Sequence, residues 1–305
     1  MTKLDTLLVA TDLSARSMQA VDRAVALAAR HRAHLTLIHA LGLDALGPLR
    51  DLLGAQAPEV ARRATQRQQT RLAAIAADAV ARGAGTAEIH VEEGLAATVV
   101  PAYADATPHD LLVVGARGEG TLRRMLVGST ASRLLRKSHR SVLIVKRPAT
   151  APYRRVLVAV DFSESSVQAA ALARAVAPEA HLVLLHVFDV PFEGMLQYAG
   201  VSDDIIHQYR IEARTRAQHG LEDLIARAGL AQADHTAIVE HGDAVHQITT
   251  HLERADFDLV VMGKHGTHVT EELLLGSVTK RVLSESEQDM LVVVGAPRPQ
   301  AVAQG

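Results

Sequence analysis

Apolar positions along this chain gather into short continuous runs separated by longer stretches with helical periodicity. Residues 7–10 (Leu-Leu-Val-Ala) form the first run, closed by Thr11-Asp12-Leu13-Ser14, and read as a strand buried on both faces. Ser14 or Ser17 is placed to cap an alanine-rich helix running to about residue 31. Residues 34–40 form a second strand, and a loop-like segment with three glycines and two prolines covers 42–58. A long polar helix over 59–82 ends at Gly83-Ala84-Gly85. Residues 86–92 alternate as a third strand, and a helix over 96–105 contains Pro101. A fourth strand over 110–115, a helix over 129–138 and a fifth strand over 141–146 complete the unit. The basic residues Arg133, Arg136 and Lys137 sit near the C-terminal end of that last helix, where they suit its dipole.

After Pro148-Ala149-Thr150-Ala151-Pro152 the order begins again. Strands are expected over 156–160, 181–187, 235–240, 258–262 and 290–294. Helices are expected over 164–177, 202–228, 244–254 and 277–284, followed by a disordered tail over 296–305. Asp12 pairs with Asp161, Ser14 with Ser163, His39 with His186, Gly94 with Gly242, Asp110 with Asp258, Gly115 with Gly263 and Gly128 with Gly276, at offsets of 147 to 149 residues. A period that long marks a duplicated domain and not a solenoid. The boundaries fall at residues 1–148 and 152–297. Strand–helix alternation predicts an α/β fold of two tandem doubly wound domains, each with a five-stranded parallel sheet and right-handed crossovers.

Composition narrows the picture. Hydrophobic residues make up 48% of the chain while aromatics are 3% and Trp is absent, so the cores are built from Leu, Val, Ala and Ile. A formal net charge of −2 gives no basic excess for nucleic acid, and no apolar run is long enough to span a membrane. The absence of cysteine excludes disulfides and thiol chemistry, and the N-terminus does not read as a signal peptide. These features together predict a cytoplasmic protein. The sixteen histidines invite a metal reading. His241, His246 and His251, however, are five apart and turn about 140° around a helix at each step, so they do not converge.

The most distinctive chemistry is a duplicated glycine pattern, Gly-x2-Gly-x9-Gly-Ser. It runs through Gly115, Gly118, Gly128 and Ser129, and again through Gly263, Gly266, Gly276 and Ser277. Each copy follows a strand and enters a helix, an arrangement suited to phosphate because glycines admit close backbone approach and a helix N-terminus is partially positive. A purely structural turn is the competing reading. In a doubly wound sheet ligands bind beyond the carboxyl ends of the strands where winding reverses; if strand one lies beside strand four, Asp12 and Gly115 share that crevice, as do Asp161 and Gly263. A carboxylate there suits a base or ribose better than a phosphate, although a helix-capping Asp would look the same in sequence. Arg117 and His265 hold matching loop positions and are either phosphate contacts or solvated side chains.

With these motifs the chain resembles the universal stress protein family, in tandem form. The carrying segments are Val9-Ala10-Thr11-Asp12-Leu13-Ser14 and Val158-Ala159-Val160-Asp161-Phe162-Ser163 together with both glycine patterns. The resemblance implies strand order 3-2-1-4-5 and ATP as ligand, with Mg²⁺ or Mn²⁺ accompanying it and at most slow hydrolysis. It implies that Ala10, Thr11, Asp12 and Ala40 surround the nucleoside in the first domain, with Gly115, Arg117, Gly118, Gly128, Ser129 and Thr130 around the phosphates. The matching second-domain set is Val160, Asp161, Val187, Gly263, His265, Gly266, Gly276, Ser277 and Val278, where Val278 lacks the hydroxyl of Thr130. Family members pair through their last strands, which implies a homo-oligomer or an intramolecular pseudo-dimer.

The two copies differ in charge. Residues 115–137 carry +5, whereas 263–285 carry zero with histidine neutral, which predicts that the first domain binds ATP more tightly. The function expected is that of an ATP/ADP-binding stress-response or signalling module acting on a protein partner. A slow nucleotide hydrolase and a nucleotide-free scaffold are the alternatives. No general base or arginine finger is evident in the sequence, which favours binding over turnover.

Overall fold

The computed structural model describes residues 3–42, 56–116, 127–190, 195, 198–266 and 275–295. Arg117 and Gly118, most of the 42–58 loop and the C-terminal tail lie outside them. The first half runs β1 (Thr6–Ala10), α1 (Ser17–His31), β2 (His34–Leu41), α2 (Ala57–Ala81), β3 (Thr86–Glu93), α3 (Ala96–Ala106), β4 (Leu111–Gly115), α4 (Ser129–Lys137) and β5 (Val142–Val145). The second half runs β6 (Arg155–Val160), α5 (Glu164–Val176), β7 (His181–Phe188), α6 (Asp203–Arg227), β8 (His235–His241), α7 (Ala244–Arg254), β9 (Leu259–Gly263), α8 (Ser277–Glu285) and β10 (Asp289–Val293). Pro101 is accommodated inside α3 and is buried.

The ten strands among the described residues join one sheet in the order β3-β2-β1-β4-β5-β10-β9-β6-β7-β8. Each half therefore has the expected order 3-2-1-4-5 with parallel neighbours. The halves meet where β5 and β10 pair antiparallel, Leu143 opposite Leu291. Central strands such as β4 and β9 are buried along almost their whole length, as both faces carry helices. The edge strands β3 and β8 are only partly covered, and β3 carries Glu88, Glu92 and Glu93, charges that discourage edge-to-edge pairing. One face packs α1, α2, α5 and α6 through residues such as Ala24, Leu72, Ala173 and Leu221. The other packs α3, α4, α7 and α8 through Val100, Leu134, Ile248 and Val282.

The seam between the halves is polar as well as apolar. Asp289, almost completely buried, accepts hydrogen bonds from the backbone N–H groups of Lys146 (2.7 Å) and Arg147 (3.0 Å) and from the Tyr153 hydroxyl (2.6 Å). Arg23 lies 3.6 Å from the same carboxylate and 4.0 Å above the Tyr153 ring, and donates to the carbonyl of Ala151 in the connecting segment. Burial, with Asp289 alongside, pushes the Tyr153 phenol well above its ordinary range, so it stays protonated and donates. Ser141, the first-half counterpart of Asp289, accepts the N–H of Val294 and completes a pseudo-twofold exchange.

Asp110 and Asp258 explain another pair seen in the repeat. Each carboxylate accepts two backbone N–H groups at the start of the first strand of its half, Asp5 and Thr6 in one and Arg154 and Arg155 in the other. These aspartates are braces at the amino ends of the strands, at the opposite end from the crevice.

Candidate functional site

The crevice forms at the carboxyl ends of the first and fourth strands of each half. In the second half β6 ends at Val160 and hands over to Asp161-Phe162-Ser163. Phe162 adopts a left-handed backbone (φ 64°), as does its counterpart Leu13 (φ 61°). For a bulky residue this costs about 1–2 kcal/mol, and its repetition in both halves marks a turn held by its surroundings. The turn aims the Asp carboxylate at the following N–H groups. Asp12 Oδ1 accepts from Ser14 N (3.0 Å) and Asp161 Oδ1 from Ser163 N (3.2 Å). Neither Asp caps a helix. The N-cap of α5 is Ser163, whose hydroxyl accepts from Ser166 N. In the first half Ser14 Oγ does the same for Ser17 N, although the formal N-cap is Arg16 and not Ser14 or Ser17.

Strand two supports the same turn. His39 Nδ1–H donates to the carbonyl of Thr11 (2.8 Å), and His186 Nδ1–H to that of Val160 (2.9 Å). A carbonyl only accepts, so the protonated ring nitrogen is identified in both. His186 also stacks on Phe162 with centroids 3.9 Å apart. Burial lowers its pKa against the opposing influence of the Val160 bond and Asp161, which keeps a neutral ring at the crest.

A cavity of about 310 Å³ opens beside Asp161. Its walls include all nine residues expected in the second half: Val160, Asp161, Val187, Gly263, His265, Gly266, Gly276, Ser277 and Val278. Leu185, Ala244, Ile248 and Met262 add an apolar floor that motif reading did not single out. Leu185 and Met262 come from strands and Ala244 and Ile248 from α7, and only the tertiary fold turns them toward one opening.

The glycines are needed for reasons internal to the protein. A Cβ on Gly266 would lie 2.6 Å from Asp161 Oδ2, and one on Gly263 would lie 2.9 Å from Ser165 Oγ. The loop thus rests directly on the strand-one carboxylate, and the two motifs form one structure. Further side chains lock it. Ser163 Oγ (2.6 Å) and Ser166 Oγ (2.7 Å) both donate to Asp161 Oδ1, Ser165 Oγ donates to the carbonyl of His265 (3.1 Å), and Thr279 Oγ1 to that of Gly263 (2.9 Å). The repeated serines after Asp161 were the visible sequence signal for this cage.

In the first half Ala10, Thr11, Asp12 and Ala40 occupy the corresponding ends of β1 and β2, and Gly115, Gly128, Ser129 and Thr130 the end of β4 and the start of α4. The main chain closes the same way, Gly128 N–H to Ala116 O (2.7 Å) against Gly276 N–H to Lys264 O (2.9 Å). Side-chain bracing differs. Thr11 Oγ1 takes Ser17 Oγ at 2.9 Å, Arg16 replaces Ser165, and Ala131 replaces Thr279. Asp12 is exposed where Asp161 is half-buried.

One sequence assumption requires correction. Lys264, counted among the charges of the second loop, does not face the cavity. It is 1% exposed, and its ammonium donates to the carbonyls of Arg136 (3.0 Å) and Ser138 (2.8 Å) at the end of α4. Its charge belongs to the seam between the halves.

This architecture defines a duplicated, doubly wound α/β protein with the glycine motif at the carboxyl end of the fourth strand in each copy and a glycine-lined cavity in the second. Residues 3–146 and 152–294 each match the universal stress protein family, and the chain belongs to that family as a tandem member. It is 30% identical over 231 residues to universal stress protein Rv1996 of Mycobacterium tuberculosis, a match spanning 73% of this chain and 70% of the relative. It is 28% identical over 302 residues to a universal stress protein of Mycolicibacterium smegmatis, spanning 94% and 96%. A universal stress protein structure from Archaeoglobus fulgidus superposes with a TM-score of 0.69 at 20% identity, covering 97% of this chain and 100% of that one, which shows the shared fold. Among the described residues no helix is long and apolar enough to cross a membrane.

Proposed function

We propose that the chain binds ATP in each of its two domains, residues 1–148 and 152–297, and works as a cytoplasmic stress-response or signalling module. The observation that carries this reading is the second-half cavity, which combines an apolar floor, a hydrogen-bonded carboxylate and a helix N-terminus behind three glycines. Adenine fits between Val160, Val187, Ile248 and Met262. Asp161, held ready as an acceptor by the serine hydroxyls, takes the ribose. The N–H groups around Gly276 and Ser277 point to the phosphates, with His265 beside them. Ala10, Thr11, Asp12 and Ala40 play the nucleoside role in the first half, and Gly115, Arg117, Gly118, Gly128, Ser129 and Thr130 the phosphate role.

Among the described residues no group of three or more His, Asp or Glu side chains is arranged to hold a metal ion. Mg²⁺ or Mn²⁺ would therefore arrive on the phosphates themselves. The module signals by its bound state and not by turnover. The first site is the tighter because of the +5 charge around its loop. Calorimetric titration of ATP into the full chain, S129E and S277E tests this. Two sites in the wild type and one in each variant are expected, with S277E retaining the tighter one. No heat and no nucleotide in native mass spectra would overturn it in favour of a scaffold.

A further inference from the structure

We propose that Lys264 is a positioning residue for the first-half site, acting across the seam on the helix that holds that site's phosphates, and that Lys146 does the reciprocal for the second. The inference rests on the ATP-binding reading above and concerns how the two sites are regulated together.

Lys264 has two attachments. Its main chain belongs to the second site, since its carbonyl accepts the N–H of Gly276 (2.9 Å) and its own N–H donates to Val293 O (2.7 Å). Its side chain belongs to the first half, ending on the Arg136 and Ser138 carbonyls at the C-terminus of α4. That helix begins at Ser129, the first-half phosphate cradle, and spans nine residues, roughly 13 Å. A buried ammonium on the last carbonyls and an anion at the first N–H groups both favour the same helix dipole, so they reinforce one another.

The opposite link is built similarly. Lys146 Nζ donates to Leu283 O (2.9 Å), Ser286 O (2.6 Å) and Ser286 Oγ (3.0 Å) at the end of α8, whose start is Ser277. Val145, immediately before it, accepts the N–H of Ala116, which in turn accepts that of Gly128. Each glycine cradle is thus wired to the far end of the other half's cradle helix. The path from Gly276 runs through Lys264 itself, whereas the path from Gly128 passes through two intermediate residues, so Lys264 carries the stronger effect.

A phosphate held at Gly276 and Ser277 fixes the backbone of Lys264 through the Gly276 N–H bond and keeps its ammonium seated. ATP in the second site therefore raises affinity at the first, and by reciprocity the first raises the second. The buried position of Lys264 matters here, because solvent would screen the same contact at the surface.

The test uses the full chain with S277E, which leaves the first site to be read alone. Lys264→Met in that background should weaken ATP binding by about three- to tenfold, within the range expected for a residue that transmits coupling. It should also speed amide exchange in the last turn of α4 in the absence of nucleotide. Lys280→Met, which removes an exposed lysine of the same half, should do neither. Lys264→Gln keeps donors for the carbonyls and should recover part of the loss, and it provides the measurement if the methionine variant melts early. Binding and exchange both unchanged within twofold in a folded Lys264→Met protein would overturn the proposal. Failure of wild type and S277E alike to bind ATP would instead remove the nucleotide reading, and the exchange arm would still decide whether Lys264 braces α4.

Discussion

The two crevices share a backbone and differ in how it is held. In the second half Asp161 Oδ1 receives two serine hydroxyls and an N–H, and Ser165 and Thr279 tie the glycine loop to its neighbours. In the first half Thr11 diverts Ser17 away from Asp12, and Arg16 and Ala131 stand where Ser165 and Thr279 would be. The second site is braced by hydroxyls, whereas the first carries positive charge. On the proposed nucleotide reading, duplication preserved a geometry while separating two ways of stabilising an anion, preorganisation in one copy and electrostatics in the other.

The contrast breaks most sharply at Gly266. Gly266→Ala places a methyl 2.6 Å from Asp161 Oδ2, and such overpacking costs about 1–3 kcal/mol. Calorimetry on this variant should show the second-half affinity falling by roughly 10- to 100-fold with the first site retained. Next comes the pair Asp161→Ala and Asp12→Ala. Losing Asp161 removes the carboxylate acceptor of two serine hydroxyls and should lower stability by about 1–3 kcal/mol in urea unfolding, whereas Asp12, exposed and accepting a local N–H, should cost less than about 1 kcal/mol. Equal losses would show that the hydroxyl cage contributes nothing.

Salt gives a smaller effect. Arg133, Arg136 and Lys137 lie roughly 6–12 Å along α4 from its start, comparable with the screening length of about 10 Å at 0.1 M salt. Raising NaCl should weaken the first site several-fold and the second less, narrowing or inverting their order. The smallest effect is on pH-dependent stability. Burial is the leading cause of the lowered pKa of His186, and also of His31 and His109. Each stays neutral in the fold at a pH where the unfolded chain already binds a proton. Their contribution is therefore full above the unfolded value of 6.5 and declines as pH falls through it toward the folded values. Melting temperature should drop between about pH 7.5 and pH 5.5, and His186→Asn, which keeps an N–H donor for Val160, should reduce that slope. An unchanged slope would remove His186 from the account.

Much of this molecule was legible from local chemistry. Short runs of Leu and Val with no polar alternation read as strands covered on both sides, and a repeat of 147 to 149 residues reads as two units. Those facts carry the element order and the duplicated doubly wound class; the placing of strand one beside strand four, which brings each Asp to the end of β4 or β9, came from the family resemblance. Tertiary structure decided what depends on long-range approach. Ser166 reaches Asp161 only because a left-handed Phe162 folds the chain back, and Gly266 must be glycine because a carboxylate 105 residues away lies against it. Lys264 counts in sequence as one of the charges of the second glycine loop, yet the β5–β10 pairing brings the end of α4 within its reach. A buried ammonium must find acceptors, and the carbonyls left open at that helix end were the ones available.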